Sequence, residues 1–354
     1  MARNHSRGSR AGPVQSGVLM SPQEICPVED QVLLITGATS GIGLATAQMA
    51  GGRGAKLFLV ARGEAALAQV ARDVRLRGGE ADYAVADVAD VAAVEAAADA
   101  ALVRYGRIDT WVNCAGVAIY AKLLELPDAE HRRLFDTNYF GVVNGARAAA
   151  RRMRRGTIIT VASIASDFPS PILGAYAASK HAVAGFIGSL RIELESEGSP
   201  LRLSLVKPSG MATPIADHAV NHRPGRARVP PPAYDPDLAA STILACAERY
   251  RREVTVGGFG RAQTLFAAHF PTIADRISAL IIPWLSRGPR IDARDSLFLP
   301  VERVRVRAHN ETGRRASVYG TLDRLRAPVL LATAGASGLL LWRTFRSRRL
   351  ATSE

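Results

Sequence analysis

Tyr176 and Lys180 stand four residues apart, so a helix carries both side chains on one face. A tyrosine that titrates at about 10 exchanges protons poorly at neutral pH unless a nearby ammonium favours its phenolate. Such a pair can move a proton. Thirteen residues upstream of the tyrosine, Ser163 offers a hydroxyl able to bond a carbonyl or alcohol oxygen and steady the charge that develops on it. The chain has four lysines, Lys56, Lys122, Lys180 and Lys207, and otherwise uses arginine for positive charge. Each is therefore a candidate for a task that needs a compact, tunable ammonium.

A second constellation lies near the start. Thr36-Gly37-Ala38-Thr39-Ser40-Gly41-Ile42-Gly43 follows an apolar run and precedes a helical pattern. Glycines there let the backbone approach a pyrophosphate, while a helix N-terminus adds free N–H groups and a partial positive charge. Taken singly, each feature also has a plain structural use: a tight turn, a packing tyrosine, a serine cap. As a spaced set they point to catalysis.

The elements that must position these residues follow from hydrophobic periodicity. Runs 31–36, 56–61, 81–88, 109–115, 157–162, 201–207 and 253–257 read as seven strands, separated by alanine-rich amphipathic stretches such as 67–77 and 91–104. The runs are continuously apolar, which implies a sheet covered on both faces. Strand and helix alternating throughout predicts an α/β fold, a Rossmann-type doubly wound parallel sheet with ligands at the carboxyl ends of its strands. Residues 1–27 read as a disordered basic arm without the apolar core of a signal peptide, and Met20 is a second candidate start. The nucleotide-binding domain is placed at 28–260, a basic and amphipathic extension at 261–321, and an apolar segment with a basic tail at 322–354.

With these motifs in order, the stretch from Val28 to Gly260 resembles the classical short-chain dehydrogenase/reductase family, whose cofactor turn is T-G-x-x-x-G-x-G at this location. Asp87 with Val88 after the third strand, Asn113-Cys114-Ala115-Gly116 after the fourth, Asn138, Ser163, and the Y-x-x-x-K pair match in turn. The resemblance implies a dinucleotide held by Thr36, Gly37, Thr39, Ser40, Gly41, Ile42, Gly43, Arg62, Asp87, Val88, Asn113, Ala115, Gly116, Tyr176, Lys180, Pro208 and Thr213. It implies catalysis by Asn138, Ser163, Tyr176 and Lys180: Tyr176 transfers the proton, Lys180 tunes it and holds the nicotinamide ribose, and Asn138 holds a water that links Lys180 to solvent. A homodimer or homotetramer built on the helices of Asn138 and Tyr176 is implied too. Two positions depart from the pattern: Cys114 replaces a common Asn, and Ser209 replaces the glycine usual after Pro208.

An NAD enzyme wants an acid near the end of the second strand for the ribose 2′-hydroxyl, and that strand ends Val60-Ala61-Arg62. A guanidinium there suits a 2′-phosphate, so NADP(H) is expected over NAD(H), with Glu64 close by as the opposing feature. Phe168, Pro169, Pro171, Ile172 and Leu173 precede the tyrosine and argue for a hydrophobic carbonyl or alcohol, though they would also serve to pack a lid or dimer. The prolines between 214 and 236 break any helix in the segment expected to cover the substrate.

The net charge of +13 suggests nucleic acid until its distribution is seen. From residue 301 onward eleven arginines face four acids and flank an apolar run, which suits acidic headgroups better than bases. Nucleic acid is not an expected partner. Residues 327–342 carry no charge, but sixteen residues make about 24 Å of helix against a core of about 30 Å. Shallow insertion at a membrane surface, helped by Leu280, Ile281, Trp284 and Leu285, is expected over a full span. A helix packed on the domain or a partner subunit would use the same residues. Three scattered cysteines fit neither a disulfide framework nor a zinc site, and a cytoplasmic protein, membrane-associated on that face, is expected. Two rival readings use the same fold: a cofactor-binding sensor or scaffold, and a soluble reductase of a polar metabolite.

Overall fold

The computed structural model describes residues 26–225, 227–285, 296–308 and 313–317. Each of the seven runs is a strand of one sheet. In chain order the strands are β1 (Val32–Thr36), β2 (Lys56–Ala61), β3 (Glu80–Val85), β4 (Thr110–Asn113), β5 (Ile119–Tyr120), β6 (Gly156–Val161), β7 (Leu201–Pro208), β8 (Val220–Asn221) and β9 (Glu253–Val256). The main sheet runs β3-β2-β1-β4-β6-β7-β9 and every pairing in it is parallel. β5 and β8, which the periodicity does not reveal, are two-residue strands that pair with each other.

Burial alternates across the pleat. Leu33, Ile35, Leu57 and Leu59 meet α1 (Gly41–Gly52), α2 (Glu64–Leu76) and α7 (Pro236–Glu248) on one face. Leu34, Phe58 and Ile158 meet α3 (Val91–Tyr105), α5 (Gly141–Arg152) and α6 (Gly174–Ser196) on the other. Both faces are thus apolar, which explains the unbroken runs. Local signals set the helix ends: the Asp90 carboxylate accepts from Ala92 and Ala93 N–H, and Gly106 closes α3 at φ 75°.

Crossovers leave β1 and β4 in opposite directions, which opens a crevice at the carboxyl ends of these two central strands. Two irregularities flank it. Between α4 (Asp128–Phe135) and α5 the chain makes a π turn, Asp136–Phe140, that carries Asn138. Just before α6, Ile172 adopts φ 59°, a left-handed conformation costly for a β-branched residue. It follows the segment that shapes the cavity beside Tyr176.

The domain boundary expected at 260 falls inside α8 (Gly258–His269), which leads into α9 (Pro271–Leu285). Residues 296–308 then return across the carboxyl edge of the sheet. Arg307 anchors that return by pairing with Asp235 at 2.8 and 3.0 Å and with Asp237 at 2.7 Å, at the start of α7. Among the described residues no helix is long and apolar enough to cross a membrane. The expected basic arm and the apolar segment 327–342 lie outside the described residues, as do the side chains of Trp284 and Leu285.

Candidate active site

The glycine turn is built so that side chains cannot intrude. Gly37 and Gly41 have φ of 68° and 52°. A Cβ on Gly43 would meet the Gly37 carbonyl oxygen at 2.2 Å, and one on Gly37 would meet Ala115 backbone at 2.8 Å. These bare surfaces form the cradle a pyrophosphate needs, with the α1 N-terminus pointing into it. We expect Gly43→Ala to lower dinucleotide affinity by at least about tenfold, because the methyl group displaces the Gly37 carbonyl that shapes the turn. Fluorescence titration with NADPH checks this, with circular dichroism confirming that the sheet persists.

One cavity of about 670 Å³ runs from this turn to the helix of the tyrosine. Gly37, Thr39, Ser40, Gly41, Ile42, Gly43, Arg62, Asp87, Val88, Ala115, Gly116, Ser163, Tyr176, Lys180, Pro208 and Thr213 all line it. Thr36, Asn113 and Asn138 do not; they brace it from behind. The Thr36 hydroxyl donates to Val112 O and accepts from Cys114 and Ala115 N–H, tying β1 to the end of β4. Asn113 accepts from the Trp111 indole at 2.8 Å. Asn138 is fully buried: its carbonyl accepts from Val117 N–H at 2.8 Å, and its amide donates to Val117 O and to Ser179 Oγ. Ser179 donates in turn to Tyr176 O, so the π turn fixes the start of α6.

At the inner end Ser163, Tyr176 and Lys180 converge. Ser163 follows β6 and accepts from Ala165 N–H, while its hydroxyl also bonds the Tyr176 phenol. Burial pushes that phenol above its ordinary range, and the Ser163 hydrogen bond opposes the shift. Lys180 Nζ donates to Val161 O at 3.1 Å and lies 5.7 Å from the Tyr176 ring centre. Burial lowers the ammonium to about 8. The thiol of Cys114, also desolvated, is pushed up to about 12 and stays protonated beside the lysine. That neutrality explains why Cys114 fits where the family pattern has an amide.

Ser209 also has a structural reason. Its hydroxyl donates to Val256 O and Gly257 O, joining the end of β7 to the β9–α8 turn. The departure from glycine therefore anchors the loop that leads to Thr213. The outer part of the cavity is apolar, lined by Phe168, Leu173, Met211, Ile215, Phe259 and Phe266. Of the five residues expected from the sequence, Phe168 and Leu173 face it; Pro169, Pro171 and Ile172 do not.

Sequence reasoning missed the contribution of residues 296–308. Ser296, Pro300 and Val301 line the cavity. Arg62, expected to face a phosphate, donates to the carbonyls of Ser296, Leu297 and Leu299. Arg133 pairs with Asp87 and donates to Leu297 O at 3.0 Å. Gly41 N–H donates to Arg305 O at 2.9 Å, and Leu297 is 1% exposed. The sequence signals of this segment are its basic charge and a short alternation of charged and apolar residues, Arg303-Val304-Arg305-Val306-Arg307.

The fold and the site together define a dinucleotide-dependent oxidoreductase, and comparison with known proteins gives the family. The short chain dehydrogenase model matches residues 31–224. The chain is 35% identical over 338 residues to the uncharacterized oxidoreductase YxnA of Bacillus subtilis (strain 168), covering 93% of this chain and 94% of that one. It is 42% identical over 192 residues to the monensin polyketide synthase putative ketoacyl reductase of Streptomyces virginiae, covering 52% of this chain and 72% of the relative. Among solved structures, a variant of actinorhodin polyketide ketoreductase with NADPH is 34% identical, with a TM-score of 0.50 over 54% of this chain and 74% of that one. The protein belongs to the short-chain dehydrogenase/reductase family. It is an NAD(P)-dependent oxidoreductase with the Rossmann-type fold of that family.

Proposed function

We propose that this protein uses NADP(H) to reduce the carbonyl group of a hydrophobic, lipid-like substrate to a secondary alcohol, with Tyr176 as general acid. The observation that carries the reading is the placement of Ser163, Tyr176 and Lys180 at the closed end of a cavity whose outer wall is apolar. The Ser163 hydroxyl bonds the substrate oxygen and stabilises the charge that develops there. Tyr176 gives that oxygen its phenolic proton, and the Lys180 ammonium steadies the phenolate left behind. Asn138 positions Tyr176 through Ser179. Lys180 also holds ribose hydroxyls, and the glycine turn holds the pyrophosphate. When bound, the dinucleotide supplies the hydride.

NADP(H) is supported by the end of β2, where Ala61 leaves out the acid and Arg62 places a positive charge, with Arg133 nearby. The NADPH carried by the actinorhodin ketoreductase points the same way. The ketoacyl reductase relative supports reduction of a carbonyl on an acyl chain. A series of methyl ketones of increasing chain length tests the substrate class. kcat/KM is expected to rise by about fourfold per methylene until the cavity is filled. A flat or falling series, or a preference for short polar ketones, would overturn it.

The same reading extends to a membrane surface. Phe259, Phe266, Ile277 and Ile281 both line the cavity and reach solvent, and Phe270, Ile273 and Leu280 continue that apolar face along α8 and α9. An apolar mouth of this kind suits substrate taken from acidic lipid at the cytoplasmic face. Co-sedimentation with phosphatidylserine vesicles, lost in Leu280→Asp with Ile281→Asp, is the expected result. Exposed Phe140 and Ile192, on the π turn and on α6, support a homodimer or homotetramer built there.

A further inference from the structure

The end of β2 contains no acid of its own, yet a carboxylate stands there. Residues 296–308 carry Glu302 to the start of α2, where its Oε2 accepts from Ala66 N–H at 3.1 Å. Both of its oxygens lie 3.0 to 3.1 Å from where a Cβ on Gly63 would be. Gly63 directly follows Arg62, and α2 has no side-chain cap from its own N-cap residue. The carboxylate thus fills both a helix-capping role and the place beside the β2 terminus where the adenosine 2′ group is read in this kind of fold.

The surrounding contacts hold it there. Arg62 donates to three carbonyls of the same segment, Ser296 N–H donates to His218 O at 2.8 Å, and Leu297 is buried between α4 and the β5 region. Downstream, Gly41 N–H donates to Arg305 O, and Arg307 grips Asp235 and Asp237. Glu302 is therefore held on both sides, beside Gly63, the residue that follows Arg62 in the chain. Resting on the proposed NADP(H) dependence, we infer that Glu302 is a selectivity residue. It opposes the 2′-phosphate that Arg62 attracts and tolerates a 2′-hydroxyl, so the preference for NADP(H) over NAD(H) is smaller than Arg62 alone would give. A carboxylate and a phosphate competing for one helix N-terminus repel, whereas a hydroxyl can donate to the carboxylate.

The test is Glu302→Gln, which keeps the shape and removes the charge, with Arg307→Ala as a second variant that releases the segment carrying Glu302 from one of its anchors. Dissociation constants and kcat/KM are measured for NADPH and NADH in the full chain. In Glu302→Gln the NADPH to NADH ratio of kcat/KM is expected to rise at least about tenfold, with NADH within about twofold of the parent, and to fall more steeply with added salt, because the attraction of Arg62 for the 2′-phosphate is then unopposed. Arg307→Ala is expected to raise the same ratio by a smaller factor, because Glu302 is then held from one side only. An unchanged ratio in Glu302→Gln, or an equal change for both cofactors, would overturn the assignment. A parent chain that binds NADH and not NADPH would instead overturn the proposed NADP(H) dependence itself.

Discussion

Tyr176→Phe lowers kcat for carbonyl reduction by about a thousandfold and leaves the NADPH dissociation constant within about twofold of the parent. The phenyl ring keeps the packing of Tyr176 at the start of α6 and the Ser179 bond to its backbone carbonyl. It loses the hydroxyl that bonds Ser163 and gives up the proton. Rate and affinity therefore separate, which a merely structural role would not produce. Single-turnover kinetics with fluorescence titration makes the comparison. A variant that loses both equally would mean that Tyr176 shapes the site without donating.

Lys180→Met is expected to lower kcat/KM by about a hundredfold or more, since it removes the charge that supports the phenolate and the contact to the ribose. The pH dependence is the sharper readout. Burial lowers the ammonium to about 8, so kcat/KM for reduction is level through the neutral range and falls above about 8 as Lys180 loses its proton. Tyr176, shifted upward, stays protonated across the same window and does not oppose that fall. The Met variant lacks the limb. Stability moves the other way. Because the folded state depresses the lysine below its ordinary 10.5, the unfolded chain binds more protons between about 8 and 10.5, and the parent gains stability as pH rises through that window. Lys180→Met removes this slope and, with no ammonium to bury, melts higher than the parent at neutral pH. Chemical denaturation at pH 7 and pH 10 gives both results.

Much of the site could be read from residue order because its parts are local. The glycine turn is contiguous, Tyr176 and Lys180 share one helix face, and Ser163 follows an apolar run; each needs only its own element to be placed correctly. The seven strands were legible for the related reason that sheet burial writes itself as continuous apolar runs. Asn138 was found by its position, but its use of Val117 and Ser179 follows from a π turn that has no periodic signature. The role of residues 296–308 was not legible at all. Their contacts with Arg62 and Gly41 run through backbone carbonyls, which sequence does not distinguish, to partners more than 200 positions away. Arg62 shows the consequence: its charge suggested phosphate recognition, and the fold also makes it the latch for a segment that brings a carboxylate alongside.

The most direct test of the proposed reduction is isotope transfer from NADPH deuterated at the transferring position, incubated with cellular lipid extracts and followed by mass spectrometry, with Tyr176→Phe in parallel. The predicted result is an alcohol product of a hydrophobic ketone that carries one deuterium on the carbinol carbon with the parent enzyme and is absent with the variant. Tight NADPH binding without deuterium in any product would contradict it and would leave a dinucleotide-binding sensor or scaffold in place of a reductase.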